Sequence, residues 1–247
     1  MRAAKWATGL MTLGLALSAY AGTGGDCVFL DAPAKDVPFT SEVKAEQGDH
    51  VVYLAVVGGD TPVPNACGLN PSNDPAEWAG WGGPLDYDNA SIGEGPGTRN
   101  FITIGGVRYE RGIGTHGPAR LVYDLTGAPY ARFSAVVGMD DEKDGVNFAG
   151  ECGHGGSAVF RFLIDGTEVF ATDVITGVAN GANVDGVPVE FDIPAGASQL
   201  EIVIEDGGDG NGCDHADVAD AKLYLSSGTA VDPLGKATTT WGALKER

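Results

Sequence analysis

The chain has no apolar run of the roughly 20 residues that a helix needs to cross a bilayer. The stretch from Leu10 to Leu17 falls well short of that, follows Arg2 and Lys5, and leads into Ala19-Tyr20-Ala21. A basic start, a short apolar stretch and a small-x-small site predict a secretory signal over residues 1–21 rather than an anchor. The mature chain is then expected to be secreted, or held in the cell envelope or periplasm, with no transmembrane segment. Positive charge is scarce too, with 15 Lys and Arg against 34 Asp and Glu and a net charge of −19. Such a chain repels nucleic-acid phosphates and anionic lipid, so nucleic acid is not expected as a partner. Cysteines are few, Cys27, Cys67, Cys152 and Cys213, and no two have the close spacing of a zinc knuckle. An even number in an exported chain predicts two disulfides. Of the three connectivities, Cys27 with Cys67 and Cys152 with Cys213 is favoured, because each bond would tie a Gly-rich loop to a neighbouring segment. Also missing are a GxSxG elbow, an HExxH pair, a P-loop, an internal repeat and any helical stripe bounded by caps.

Glycine is abundant, at 39 of 247 residues, about twice the usual share of roughly 7%. It clusters between short apolar runs that alternate with polar residues. Val187, Val189, Phe191 and Ile193 share one face against Pro188, Glu190 and Asp192, and Leu200, Ile202 and Ile204 repeat the pattern. Phe160, Phe162 and Ile164 follow it as well, and Asp165-Gly166 then predicts a hairpin turn before Val169-Phe170. Phe133, Ala135, Val137 and Met139 form another inward set, Ala221, Leu223 and Leu225 a last one, and Val51 to Val57 an earlier strand. Many short strands with one wet face predict an all-β fold, an antiparallel jelly-roll-like β-sandwich in a single domain. The expected organisation is a signal over residues 1–21, an N-terminal extension over 22–49, the sandwich over 50–226 and a tail over 227–247 that carries Trp241.

Three Gly- and Asp-rich stretches interrupt the strands: Tyr109 to Gly117, Val137 to Glu142, and Glu205 to Ala221. Singly, each reads as turn chemistry. In order, the blocks GIGTHGPARLVYDL, FSAVVGMDDE, GSAVFRFLIDG and LEIVIEDGGDGNGCDHADVADAKL, with EWAGWGGPLDYDNASI upstream, resemble the NPCBM domain, also called carbohydrate-binding module family 51. The resemblance runs from about His50 to Ser226. It implies a sandwich that recognises galactose-type sugars through loops at one end, and a bound calcium. Those implications fall on His116 in the first block, Asp140, Asp141 and Glu142 in the second, and Asp214, His215, Asp217 and Asp220 in the third. Trp81 and Arg111 complete the candidate sugar-binding set, since sugars are held by planar hydrogen-bonding groups and an aromatic face. Asp206, Asp209, Asn211 and Asp214 have the oxygen chemistry calcium takes, without EF-hand spacing. Two departures stand out. Val218 occupies the place of a Trp usual in the third block, and the segment from Lys143 to Gly156, with Cys152 and His154, is longer than the family's.

Each singled-out residue also has a plain structural reading, with the histidines satisfied by loop carbonyls, the tryptophans in the core and the acids on a solvated surface. A glycosidase would need a carboxylate pair drawn from Asp140, Glu142, Asp214 and Asp217. With about 175 residues given to the sandwich, little chain remains for a catalytic barrel of roughly 250 residues. The sequence therefore predicts a non-catalytic module that works beside a glycoside hydrolase or a cell-surface partner. The rival expectation is an adhesion or envelope scaffold without intrinsic sugar binding.

Overall fold

The computed structural model of the chain describes residues 37–46, 50–54, 68–80, 101–142, 145–146 and 153–226. The signal region, most of the expected extension, Trp81, Trp241 and three of the four cysteines lie outside them. The strands run in the order β1 (Ser41–Val43), β2 (Val51–Tyr53), β3 (Thr103–Ile104), β4 (Val107–Tyr109), β5 (Gly112–His116), β6 (Ala119–Asp124), β7 (Tyr130–Met139) and β8 (Ser157–Ile164). They continue with β9 (Thr167–Ala171), β10 (Ile175–Thr176), β11 (Val178–Ala179), β12 (Ala182–Asn183), β13 (Val187–Asp192), β14 (Gln199–Glu205) and β15 (His215–Leu225). Among the described residues the one helical element is a single 3-10 turn at Pro75–Glu77, capped by the Asp74 carboxylate on the Ala76 amide.

Two five-stranded antiparallel sheets face each other. One has the order β13-β7-β15-β2 with β5 also on β15, and the other β10-β8-β14-β6 with β9 on β8. Side-chain alternation drives the stacking, because every second residue must leave water. Phe133, Val137, Val218 and Leu223 of the first sheet and Leu121, Tyr123, Phe160, Phe162, Ile202 and Ile204 of the second are all buried in one core. The Phe133 and Phe162 rings meet across it, with centroids 5.4 Å apart. The predicted hairpin is present, with Asp165 and Gly166 at φ 48° and 77°, the double positive φ that a two-residue turn of this kind requires. Trp78, 5% exposed, belongs to the core and donates from Nε1 to Asn73 Oδ1.

Two segments differ from the sequence reading. The stretches read as loops around Gly112–His116 and His215–Asp220 are strands, because β5 and the first half of β15 pair residue for residue from His215 opposite His116 to Ala219 opposite Gly112. Buried Ala216, Val218 and Ala219 stabilise that pairing more than the intervening Asp residues disfavour it. The second difference is upstream. Residues 40–46, expected to form an extension, pack on the sandwich. There β1 pairs in parallel with β4, and β4 pairs with β3. The phenol of Tyr224 donates to Glu46, and Lys222 is ion-paired with it.

Candidate functional site

The antiparallel register brings the last residue of β5, the exit of β7 and the entry of β15 to one pole of the sandwich. His215 lies opposite His116, and Ala216 opposite Met139. Main-chain bonds lock the junction, with the Asp140 amide donating to His215 O and the Gly117 amide to Asp214 O. The start of β8 and the exit of β14 reach the same pole, where the Ser157 amide donates to Asp214 Oδ1 and the Ser157 hydroxyl to Asp209 Oδ1. Three blocks far apart in sequence therefore converge.

Their side chains do not form an exposed rim. His116 is 2% and His215 4% exposed, Asp141 is 1% exposed, and Asp140, Glu142, Asp214 and Asp217 are fully buried. The two imidazole rings meet edge to face with centroids 5.4 Å apart. His116 Nδ1 lies 2.8 Å from Gly117 O, and since a carbonyl only accepts, Nδ1 carries the proton of the neutral ring. Burial pushes the His116 pKa down, against the bond to Gly117. His215 Nδ1 lies 3.7 Å from Glu142 Oε2.

The acids hold main chain in place. Asp140 accepts from the Thr103 amide at 3.0 Å and the Glu142 amide at 2.6 Å, and its carboxyl is hydrogen-bonded to Asp217. Burial pushes the Asp140 pKa up to about 7, against these three bonds. Asp217 fits because its neighbours across the sheet are Gly114 and Gly138, which have no side chains to fill that space. Asp141 closes the β3–β4 turn by accepting from the Gly105 and Gly106 amides at 3.2 and 2.7 Å. Asp214 gives Oδ1 to Ser157, while its buried Oδ2 has no hydrogen-bond partner, and burial raises its pKa to about 7. Asp140, Asp141 and Asp214 thus turn inward onto backbone amides, while Glu142 and Asp217 are buried beside His215 and Asp140.

Arg111 is not in the cluster. It precedes β5, and five steps of extended chain at roughly 3.3 Å each carry the backbone from it to His116. It is 3% exposed, and its Cζ lies 5.0 Å from the Tyr53 ring centroid. Trp81 lies outside the described residues, but its neighbour Gly80 donates to His116 O, so the chain enters that segment at this pole.

The four oxygens read as calcium ligands do not form a set. Asp206 accepts from the Gly208 amide, Asp209 is held by Ser157 and by His154 Nε2 at 3.0 Å, and Asn211 is exposed. Among the described residues no group of three or more His, Cys, Asp or Glu could hold a metal ion. The orphaned Asp214 oxygen is one donor where calcium takes six to eight, so these residues do not fit the ion. Sequence reasoning missed Thr103 and Ser157, which carry no functional signature and act through main-chain amides. Cys213, at φ 65°, is disulfide-bonded.

Beside the pole, Pro118, Val159 and residues 205–208 line a hollow of about 410 Å³. A larger one, about 660 Å³, lies at the opposite pole between Leu125–Ala131, Ile193–Ala197 and Ser226 and holds none of the candidate residues.

Residues 70–224 match the family model described as the NPCBM/NEW2 domain. Among curated proteins, the chain is 30% identical over 151 residues to a Renibacterium salmoninarum protein named "Putative endo-alpha-N-acetylgalactosaminidase". That match covers 61% of this chain and 9% of the relative, so the chain spans a small fraction of that protein's length. Among solved structures, CBM51 from Clostridium perfringens GH95 in complex with methyl-galactose is 32% identical, covering 59% of this chain and 90% of that one, at a TM-score of 0.47. The M60 catalytic domain with CBM51-1 and CBM51-2 from Clostridium perfringens ZmpB is also 32% identical, over 64% of this chain and 15% of that one, at a TM-score of 0.49.

Proposed function

Because the chain belongs to the NPCBM/NEW2 domain family, we propose that it is a secreted, non-catalytic carbohydrate-binding module. Its ligands in this reading are galactose-type or related glycans, held at the pole where β5, β7 and β15 meet. One observation carries the proposal. The blocks that bear the family resemblance, ending in His116, Asp140–Glu142 and Asp214–His215, are brought to one pole by the strand register. The buried acids work behind the contact surface, fixing the main chain that a sugar would meet. Contact comes from the small exposed edges of His116 and His215. Preorganisation of this kind lowers the ordering cost of binding.

The same burial disfavours catalysis. Glycoside hydrolysis needs carboxyls open to substrate and water, and Asp140, Glu142, Asp214 and Asp217 are fully buried. A glycoside hydrolase or a cell-surface component is the partner class. No helix among the described residues is long and apolar enough to cross a membrane, and the basic, apolar N-terminus supports export. The proposed disulfides pair Cys213 with Cys152 and Cys27 with Cys67.

Glycan-array binding and affinity electrophoresis in galactose-containing gels, with and without EDTA, test the reading. Retention by the wild-type chain and its loss in His116→Ala, with a melting transition that stays cooperative, is the expected result. A stabilising calcium belongs to the proposal only through the chelation arm, where loss of retention would require ligands beyond the four residues named above. Burial of these polar tips favours a second reading, an exported scaffold without sugar binding, and silence of the folded chain towards every glycan would select it.

A further inference from the structure

The outer face of the β1–β4–β3 sheet holds an arginine in an uncommon environment. Pairing sets Glu42 on one side of Arg108 and Thr103 on the other. Alternation sends Val43, Ile104, Val107 and Tyr109 into a small core with Ala219 and turns Arg108 outward. Its guanidinium carbon lies 3.3 Å from the Phe101 ring centroid and 5.3 Å from that of Phe39, a residue that is 43% exposed. The Arg108 Nε is buried without a hydrogen-bond partner, and the nearest carboxylate oxygen, Glu42 Oε1, is 3.7 Å away. That long ion pair is shared, because Lys44 holds the other Glu42 oxygen at 2.8 Å.

This chain has 34 carboxylate residues for 15 Lys and Arg, and among the described residues three other surface arginines hydrogen-bond to them, where Arg108 has only the 3.7 Å approach of Glu42. Arg120 donates to Glu201 and Glu77, Arg132 to Glu190, and Arg161 to Glu168. Arg108 makes no hydrogen bond among the described residues. The two rings hold its plane in place while its outer N–H groups stay unspent, and those groups form the fork that matches a carboxylate. Charge complementarity therefore calls for an anionic, planar acceptor, and the exposed Phe39 ring calls for an apolar CH face beside it. A pyranose that bears a carboxylate has both.

We propose that Phe39, Arg108 and Phe101 form a second subsite that takes an acidic saccharide, a uronate or sialate, through its carboxylate. The subsite rests on the sugar-binding function proposed above and adds a charge preference to it. Phe39 precedes the family-matched residues 70–224, so the platform is completed by this chain's own N-terminal strand segment.

Isothermal titration of the full secreted chain with galacturonate and with methyl galactoside tests the subsite. Arg108→Gln is expected to weaken galacturonate binding about tenfold or more, the loss of one charge-assisted contact, and Phe39→Ala to weaken it severalfold. Methyl galactoside binding should be unchanged in both. Equal galacturonate affinity in wild type and Arg108→Gln overturns the inference and leaves the primary function standing. A glutamate peptide bound as tightly, with the same dependence on Arg108, overturns its saccharide assignment. A folded wild type that binds neither sugar removes the primary function and the subsite together. If Arg108→Gln fails to fold, the exposed Phe39→Ala variant decides alone.

Discussion

The Ser157 amide donates to Asp214 Oδ1 at 2.9 Å, joining the first residue of β8 to the residue before β15 and so tying the two sheets at one pole. Asp214 is fully buried, and its Oδ2 has no partner. Asp214→Ala removes the acceptor and strands a buried N–H, which should cost about 1–3 kcal/mol. Asp214→Asn keeps one oxygen for Ser157 and removes a buried charge, so it should match or exceed the wild type at alkaline pH. Urea unfolding of both variants at about pH 8 checks the order, and an Asn variant as weak as Ala would show that the charge itself is required.

A second expectation concerns pH. Asp140 and Asp214 both have pKa values pushed up to about 7 by burial, against an ordinary 3.8, so between those limits the native state binds more protons than the unfolded chain. Stability is then fully present on the acid side and is lost as pH rises through about 7. His116 acts in the opposite sense, because its depressed pKa costs stability only below its ordinary 6.5. Comparing about pH 6.5 with about pH 8 therefore follows the buried carboxyls, with Asp141, also raised by burial, adding in the same sense and His116 opposing only weakly. The melting temperature should be lower at the higher pH, and the difference should shrink in Asp140→Asn with Asp214→Asn. Around Asp140 the charged groups are Asp141, Glu142, Asp217 and His215, and none of the four is altered in that variant.

The sandwich was legible because alternation is strict where a strand has one wet face. Phe133, Phe162 and Ile202, read as inward from sequence, are each fully buried. The convergence of the His- and Asp-bearing blocks was legible through the order of their motifs. The burial of the histidines was one of the two readings open, and the burial of the acids was not read at all. A loop-like composition conceals that Gly112–His116 and His215–Asp220 pair with each other, and that Asp217 lies between Gly114 and Gly138. Whether an acid faces water or an amide depends on partners such as Thr103 and Ser157, which are distant in sequence and chemically silent. The β1 segment was missed for a similar reason, since three residues flanked by polar ones show too few alternations to register.

At the other end of β15, Lys222 lies 2.9 Å from Asp220 and 3.1 Å from Glu46, with its side chain 12% exposed. These partners raise its pKa although burial opposes them. Lys222→Met should cost about 1–3 kcal/mol, because it leaves two partly buried carboxylates facing each other without a cation. The exposed Arg132–Glu190 pair is the control, and Arg132→Gln should cost no more than about 1 kcal/mol. Chemical denaturation of both variants measures the contrast, and equal losses would mean that burial does not strengthen the Lys222 pair.

Two glycines in the loop entering β8 separate backbone strain from close approach. Gly153 and Gly156 both have left-handed φ, 70° and 61°, so an alanine at either pays the same conformational cost of roughly 1–2 kcal/mol. Space around them differs. A methyl at position 153 would meet nothing within 4 Å, whereas one at position 156 would drive into the Cys213 carbonyl and come within 3.2 Å of Asp214 Oδ1. Neither obstacle is the end of a flexible side chain. The carbonyl is backbone, and the carboxylate is held by Ser157. Gly156→Ala must therefore push the β14–β15 loop away from β8 and stretch the Ser157–Asp214 bond. It should lose at least about 2 kcal/mol more than Gly153→Ala, in the range of overpacked sites, and hydrogen exchange at the Ser157 amide should accelerate. Equal losses with unchanged exchange would show that the two loops yield freely and that this pole is not rigid enough to preorganise a ligand.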